Sequence, residues 1–275
     1  RRDLMRDIRP TLPASKARAR RRRRFYIRAA LLLLLLVLLT GGLAGLTYLP
    51  QISIASVKID GAMTISARDI EEHVRAKIAG RYAFLFPKKN IFLYPQEGIE
   101  KSLLSSFPTM KTVDVGFKNF RTIHVTVTER GPHALWCGVS RTVSVPCHLL
   151  DKEGVVYARA PEFSGAVYLT YFGELSSSSP IGAALLEKDA FQSLAALVAE
   201  LAHEHKALSV EITGKDASVL FDDDFTLLLS LDNTPENILS RLSAIRGAPP
   251  LQGKPFSVLS YIDLRFGNKV YFKLK

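Results

Sequence analysis

The chain has 275 residues, room for one or two domains, and carries 37 Lys and Arg against 26 Asp and Glu, a net charge of +11. Residues 1–28 hold 12 of the basic and two of the acidic groups, so the body is nearly neutral and lacks the broad basic face of a nucleic-acid binder. A hydrophobic content of 47% excludes a chain disordered throughout, and two cysteines exclude a disulfide-dense scaffold or a four-cysteine zinc ribbon.

From Ala29 to Leu49 no residue is charged, and Leu31–Leu36 is an unbroken leucine run. Twenty-one helical residues reach roughly 30 Å, the thickness of a bilayer's hydrocarbon core. A cleaved signal peptide would have a shorter apolar region and a small-x-small site, for which Gly42-Leu43-Ala44 is a poor match. Arg18, Arg20–Arg24 and Arg28 precede the span, whereas Pro50–Ala67 offers only Lys58. The asymmetry predicts a cytoplasmic tail over 1–28, a transmembrane helix over 29–49 and export of the remainder. The tail could also touch anionic lipid. The chain opens on Arg1 and not on Met, which leads us to expect sequence upstream.

Beyond the span, Val57–Gly61 alternates like a half-buried strand. Ser66 and Asp69 suggest a capping box before a helix with Ile70, Val74 and Ile78 on one face, closed by Gly80. A second helix is expected from Pro95, burying Ile99, Leu103 and Leu104 and ending before Pro108. Two strands follow, the first alternating Val113, Val115 and Phe117 with polar or small residues and the second alternating Ile123, Val125 and Val127 with Thr122, His124 and Thr126. The order β-α-α-β-β implies two helices over one face of a small sheet. The aromatic segment Tyr82–Tyr94 acquires no role from the pattern.

From about residue 132 the pattern turns mostly to strand: Ala134–Cys137, His148–Asp151, Val155–Ala158, Val167–Tyr171, Ser209–Thr213, Ser218–Phe221, Phe225–Ser230, Val258–Leu264 and Val270–Leu274. Helices are expected over Lys188–His205 and Pro235–Arg246, with Ser176–Pro180 as a solvated loop. The whole therefore reads as an α+β protein with a mostly antiparallel second domain. Cys137 and Cys147 flank a short loop in an exported segment, where an oxidising compartment favours a bridge between neighbouring strands.

Catalytic signatures are missing from the sequence: it has no G-x-S-x-G, S-x-x-K, Walker loop or dinucleotide fingerprint. His203 and His205 stand two apart, so a helix would aim them about 200° apart, whereas a zincin needs i and i+4; a solvated helix end is expected. Asp222–Asp224 lacks the glycine and closing glutamate of a calcium loop and reads as a hairpin turn. Glu129 and Arg130 read as a local ion pair or an interdomain contact. The expectation is a protein with no active site, metal, cofactor or small-molecule substrate.

Three motifs in order carry a family resemblance. Ile123–Ala134 is similar to the "I-x-V-x-V-x-E-R-x-P-x-A" close of the POTRA domain in the FtsQ/DivIB family of bacterial cell-division proteins. Asp151–Val156 resembles that family's "D-x-x-G-x-V/I" hairpin, and Tyr261–Phe266 its "Y-[IV]-D-[LM]-R-[FY]" run. The resemblance implies a POTRA domain over 52–131 and an FtsQ-type β domain over 132–275. It also implies a non-enzymatic, single-pass scaffold of the inner membrane and division septum. Its partners would be FtsB-like and FtsL-like bitopic proteins and the septal peptidoglycan synthase complex. Partner binding falls on Arg265, Phe266, Val270, Tyr271, Phe272 and Lys273, where an FtsB-like chain would add a strand. Val270, Phe272 and Leu274 are expected to face the core, with Tyr271 and Lys273 outward. The competing readings are a membrane-bound hydrolase or peptidoglycan-modifying enzyme, and a POTRA-bearing secretion component.

Overall fold

The computed structural model describes residues 14–275 apart from 143, 144, 166, 204, 250, 253 and 254, with side chains from residue 20 onward. Thirteen residues of the basic tail, and Glu204 of the His203–His205 run, therefore lie outside the described residues. The chain is α+β and divides into two compact units. The first runs through Asp60 and adds Ile65–Glu100 and Asp114–Thr126; the second comprises Gly61–Thr64, Lys101–Val113 and Val127–Lys275.

The first unit begins with helix α1 (Ala14–Leu46), which starts well before the expected span and stops three residues short of Leu49. Its section Arg20–Leu46 is long and apolar enough to cross a membrane. From Leu31 to Leu39 every side chain is exposed, so the helix is apolar on all sides, as a lipid-facing helix is. Strand β1 (Ser56–Asp60) follows, then helix α2 (Ala67–Ile78), whose Ile70, Val74 and Ile78 are buried at the predicted spacing. The predicted capping box does not form. The backbone carbonyl of Ser66 accepts the Asp69 N–H at 3.0 Å, so the Ser66 hydroxyl makes no cap.

A short hairpin, β2 (Arg81–Tyr82) with β3 (Phe86–Pro87), occupies the aromatic segment. Helix α3 (Gln96–Ser106) buries Ile99 and Leu103 but exposes Leu104, which lies about 100° round the helix from Leu103. Strands β4 (Met110–Asn119) and β5 (Thr122–Glu129) complete a three-stranded sheet in the order β1-β5-β4 among the described residues. Strand β1 runs parallel to β5, with Ser56 opposite Thr122 and Asp60 opposite Thr126. Phe117 is exposed, contrary to the alternation, as are Lys118 and Asn119 leading into the turn.

In the second unit the described strands form one mixed sheet. Its members are β6 (Ala134–Trp136), β7 (His148–Leu150), β8 (Val156–Arg159), β9 (Thr170–Phe172), β10 (Ala207–Thr213), β11 (Asp216–Phe221), β12 (Thr226–Ser230), β13 (Leu259–Asp263) and β14 (Tyr271–Leu274). The order across the sheet is β14-β13-β12-β11-β10-β9-β6-β7-β8. Pairs β12/β13, β9/β10 and β6/β9 are parallel, and the others antiparallel. Helices α4 (Lys188–Leu201) and α5 (Pro235–Arg246) supply Phe191, Leu194, Leu197, Ile238 and Leu242 to its core.

Helix α4 ends four residues before His205, and that histidine is not a solvated helix end. Its ring stacks 6.0 Å from Phe256, edges onto Phe221, and places Nδ1 3.1 Å from the Asp223 carboxylate. The Asp222–Asp224 segment forms the β11–β12 turn, with Asp224 at φ 56. Cys137 and Cys147 are joined by a disulfide between the end of β6 and the start of β7.

Candidate functional site: an open sheet edge

The two edges of the large sheet differ. On β8 the outer side is occupied at its first residue: Val156 N–H donates to Ala183 O at 2.9 Å, and Gly182 N–H donates to Val156 O at 2.7 Å. On β14 the only strand neighbour among the described residues is β13, and all four β14 residues are exposed. An open edge leaves backbone donors and acceptors facing solvent, a template for another strand.

Register places the β14 side chains. Phe272 stands opposite Ile262 and Leu274 opposite Leu259, so both lie on the sheet face whose strands carry the core. Yet Phe272 is 38% and Leu274 45% exposed, whereas Ile262 and Leu259 are fully buried. Phe272 and Leu274 thus lie on the expected face of the sheet but are not covered there. The buried layer stops at β13, and the apolar face continues uncovered onto β14. Of that trio only Val270, just before the strand, packs against the core. Tyr271 and Lys273, opposite Asp263 and Tyr261, lie on the other face.

The turn into β14 is held by charges. Arg265 donates through Nε (2.9 Å) and Nη2 (2.7 Å) to the two carboxylate oxygens of Asp263, and its backbone N–H reaches Oδ1 at 3.0 Å. Its Nη1 also reaches Asp216 on β11 at 3.3 Å. Asp263 is buried, and the Arg265 hydrogen bonds hold its carboxyl below the usual carboxylate range. The same bonds push the guanidinium further up. Arg241 of α5 then donates to Leu264 O (2.8 Å) and Lys269 O (2.9 Å), fastening both ends of the turn. Above it, the Arg265 guanidinium lies 5.5 Å from the Phe266 ring, which meets Tyr271 edge-on at 5.6 Å. Half-buried Arg265 and exposed Phe266 and Tyr271 thus form one cluster beside the edge.

Of the residues expected to bind a partner, Arg265, Phe266 and Tyr271 come together, and Phe272 and Lys273 point to opposite faces. Reading the motif alone missed Asp263, Asp216 and Arg241 as the residues that fix this turn. Asp263 sits inside the quoted run, whereas nothing in the sequence distinguishes Arg241 from other polar residues of α5. A shallow depression nearby gathers Glu211, Asp216, Ser218 and Arg265. Glu211 faces Arg141 at 3.4 Å and Asp216 faces Arg265, so these charges hold one another in place.

The other motif residues also resolve into bonds within the second unit. Glu129 Oε1 accepts the Met63 and Thr64 N–H groups at 2.8 and 3.0 Å. Arg130 pairs with buried Asp151, whose Oδ1 accepts the Glu153 and Val155 N–H groups at 2.8 and 3.0 Å. Gly154 closes that turn at φ 78, where a Cβ would lie 2.6 Å from Phe191 Cγ. No family model matches this chain, and no curated protein matches it.

Proposed function

We propose that the protein is a membrane-anchored scaffold of the bacterial division machinery that acts by binding and not by catalysis. Helix α1 anchors it in the cytoplasmic membrane, with the arginine-rich tail in the cytoplasm and the rest exported. Residues 52–131 serve as a POTRA domain and 132–275 as an FtsQ-type β domain, acting at the septum. An FtsB-like partner adds a strand to β14, and through it and an FtsL-like protein the septal peptidoglycan synthase complex is controlled. The observation that carries this reading is the open β14 edge, with Phe272 and Leu274 uncovered on the core-bearing face. Strand addition would satisfy the edge's backbone groups, and side-chain pockets would supply selectivity.

The test is binding of the full chain, in detergent, to the exported segment of a candidate FtsB-like protein. Proline lacks the N–H, so Tyr271→Pro and Phe272→Pro remove adjacent donors, only one of which faces outward. At least one folded variant should lose binding. If both fold and bind like wild type, the partner docks elsewhere.

A further inference from the structure

The aromatic segment that the sequence left without a role is fastened to the end of α1. Within the first unit, Tyr48 donates its hydroxyl to Leu85 O at 2.9 Å, and Asn90 Nδ2 donates to Thr47 O at 2.9 Å. A short ladder reinforces them: Ile54 N–H to Lys89 O at 2.8 Å and Ile91 N–H to Ile52 O at 2.9 Å. Asn90 itself is buried. The β2–β3 hairpin is therefore held at a fixed height along the α1 axis.

That height can be worked out. The uncharged helical stretch Ala29–Leu46 covers about 27 Å, so a hydrocarbon core of about 30 Å ends within a few residues of Leu46. Tyr48 then stands at the interface, where aromatic side chains favour the headgroup region. Leu85, bonded to it, stands there too.

The hairpin's surface suits that place and does not suit water. Phe84 is 93% exposed at its tip, flanked by exposed Leu85, and Phe92 lies exposed nearby against Phe120 at 5.8 Å. Ala83 and Phe84 both take positive φ, 46 and 62, in a turn closed by Leu85 N–H to Tyr82 O at 3.0 Å. A solvated turn of this kind favours Asn-Gly, and non-glycine residues held at positive φ are concentrated at functional sites. Gly80–Tyr94 contains Arg81, Lys88 and Lys89 and no acid, a charge suited to anionic headgroups.

We propose that the Arg81–Pro87 hairpin, with Phe92, seats its apolar tip in the anionic bilayer surface from which α1 emerges. It fixes the tilt and rotation of the first unit relative to the membrane. This rests on α1 crossing the membrane, and the experiment separates the two claims. Full-length chain carrying Phe84→Trp is reconstituted in vesicles of phosphatidylglycerol and phosphatidylcholine brominated on its acyl chains. Buried Trp136, the one native tryptophan, gives a constant background measured in the parent protein. Leu33→Trp, mid-helix, reports the span, and Phe92→Trp replaces Phe84→Trp if the latter fails to fold. Loss of most of the added emission at both 33 and 84, with a blue shift at 84, is the expected result. Quenching at 33 but not at 84 or 92 overturns the hairpin proposal alone, and no quenching at any site overturns both. Emission at 84 that shifts only when a protein partner is added would also overturn it.

Discussion

Arg265→Ala should destabilise the second unit as well as disturb partner binding. Asp263 is 5% exposed and draws two side-chain hydrogen bonds from Arg265. Removing the guanidinium leaves a buried carboxylate with the Arg265 backbone N–H and no cation. Breaking a fully buried pair costs about 3–5 kcal/mol. Because the Arg265 side chain is 32% exposed, water can partly replace it, and about 2–3 kcal/mol is the better expectation. Trp136 lies buried in the same sheet and donates to Gly173 O at 3.0 Å, so its fluorescence during urea unfolding reports the loss. The folded Asp263 pKa lies below its unfolded value, so its stabilisation is present above the unfolded carboxylate range near pH 4. It is lost as pH falls through the folded value, and the gap between wild type and variant should close with it. Adding Asp263→Asn to the variant should recover part of the loss. An unchanged urea midpoint in Arg265→Ala at neutral pH would refute the structural role given to this pair.

Gly154→Ala should cost a few kcal/mol, because φ 78 is strained for alanine and the new Cβ meets the Phe191 ring; an unchanged urea midpoint would contradict that packing. Replacing both Cys137 and Cys147 by serine should lower stability by about 2.5–3 kcal/mol, read by the same unfolding curve. For topology, a cysteine at Ser15 should resist a membrane-impermeant thiol reagent in intact cells and one at Ser177 should react, once any outer membrane is permeabilised. The native cysteines are bridged and should stay silent.

The large elements were legible because their signals are periodic. The i, i+4, i+8 spacing of Ile70, Val74 and Ile78 and the alternation of Ile123, Val125 and Val127 need no tertiary information. What failed depended on where cover ends. Phe117, Phe272 and Leu274 fit the alternation of a buried face, but no described layer reaches them, and periodicity says nothing of where a second layer stops. Leu104 failed for a smaller reason, since two adjacent helical leucines cannot share one narrow face. At the candidate site the motif pointed to Arg265 and Phe266. Pairing Arg265 with Asp216, forty-nine positions away, and securing the turn with Arg241 required the sheet order and the seat of α5. The β2–β3 hairpin stayed opaque because its bonds run to the end of α1, a tertiary relation with no local signature.

Amide hydrogen exchange of the full chain, with and without an FtsB-like partner, tests the central claim most directly. Among the described residues β14 has no second strand beside it, so its outward amides should exchange freely in the lone protein and become protected across Tyr271–Leu274 when the partner binds. Binding that leaves Tyr271–Leu274 exchange unchanged would contradict the account.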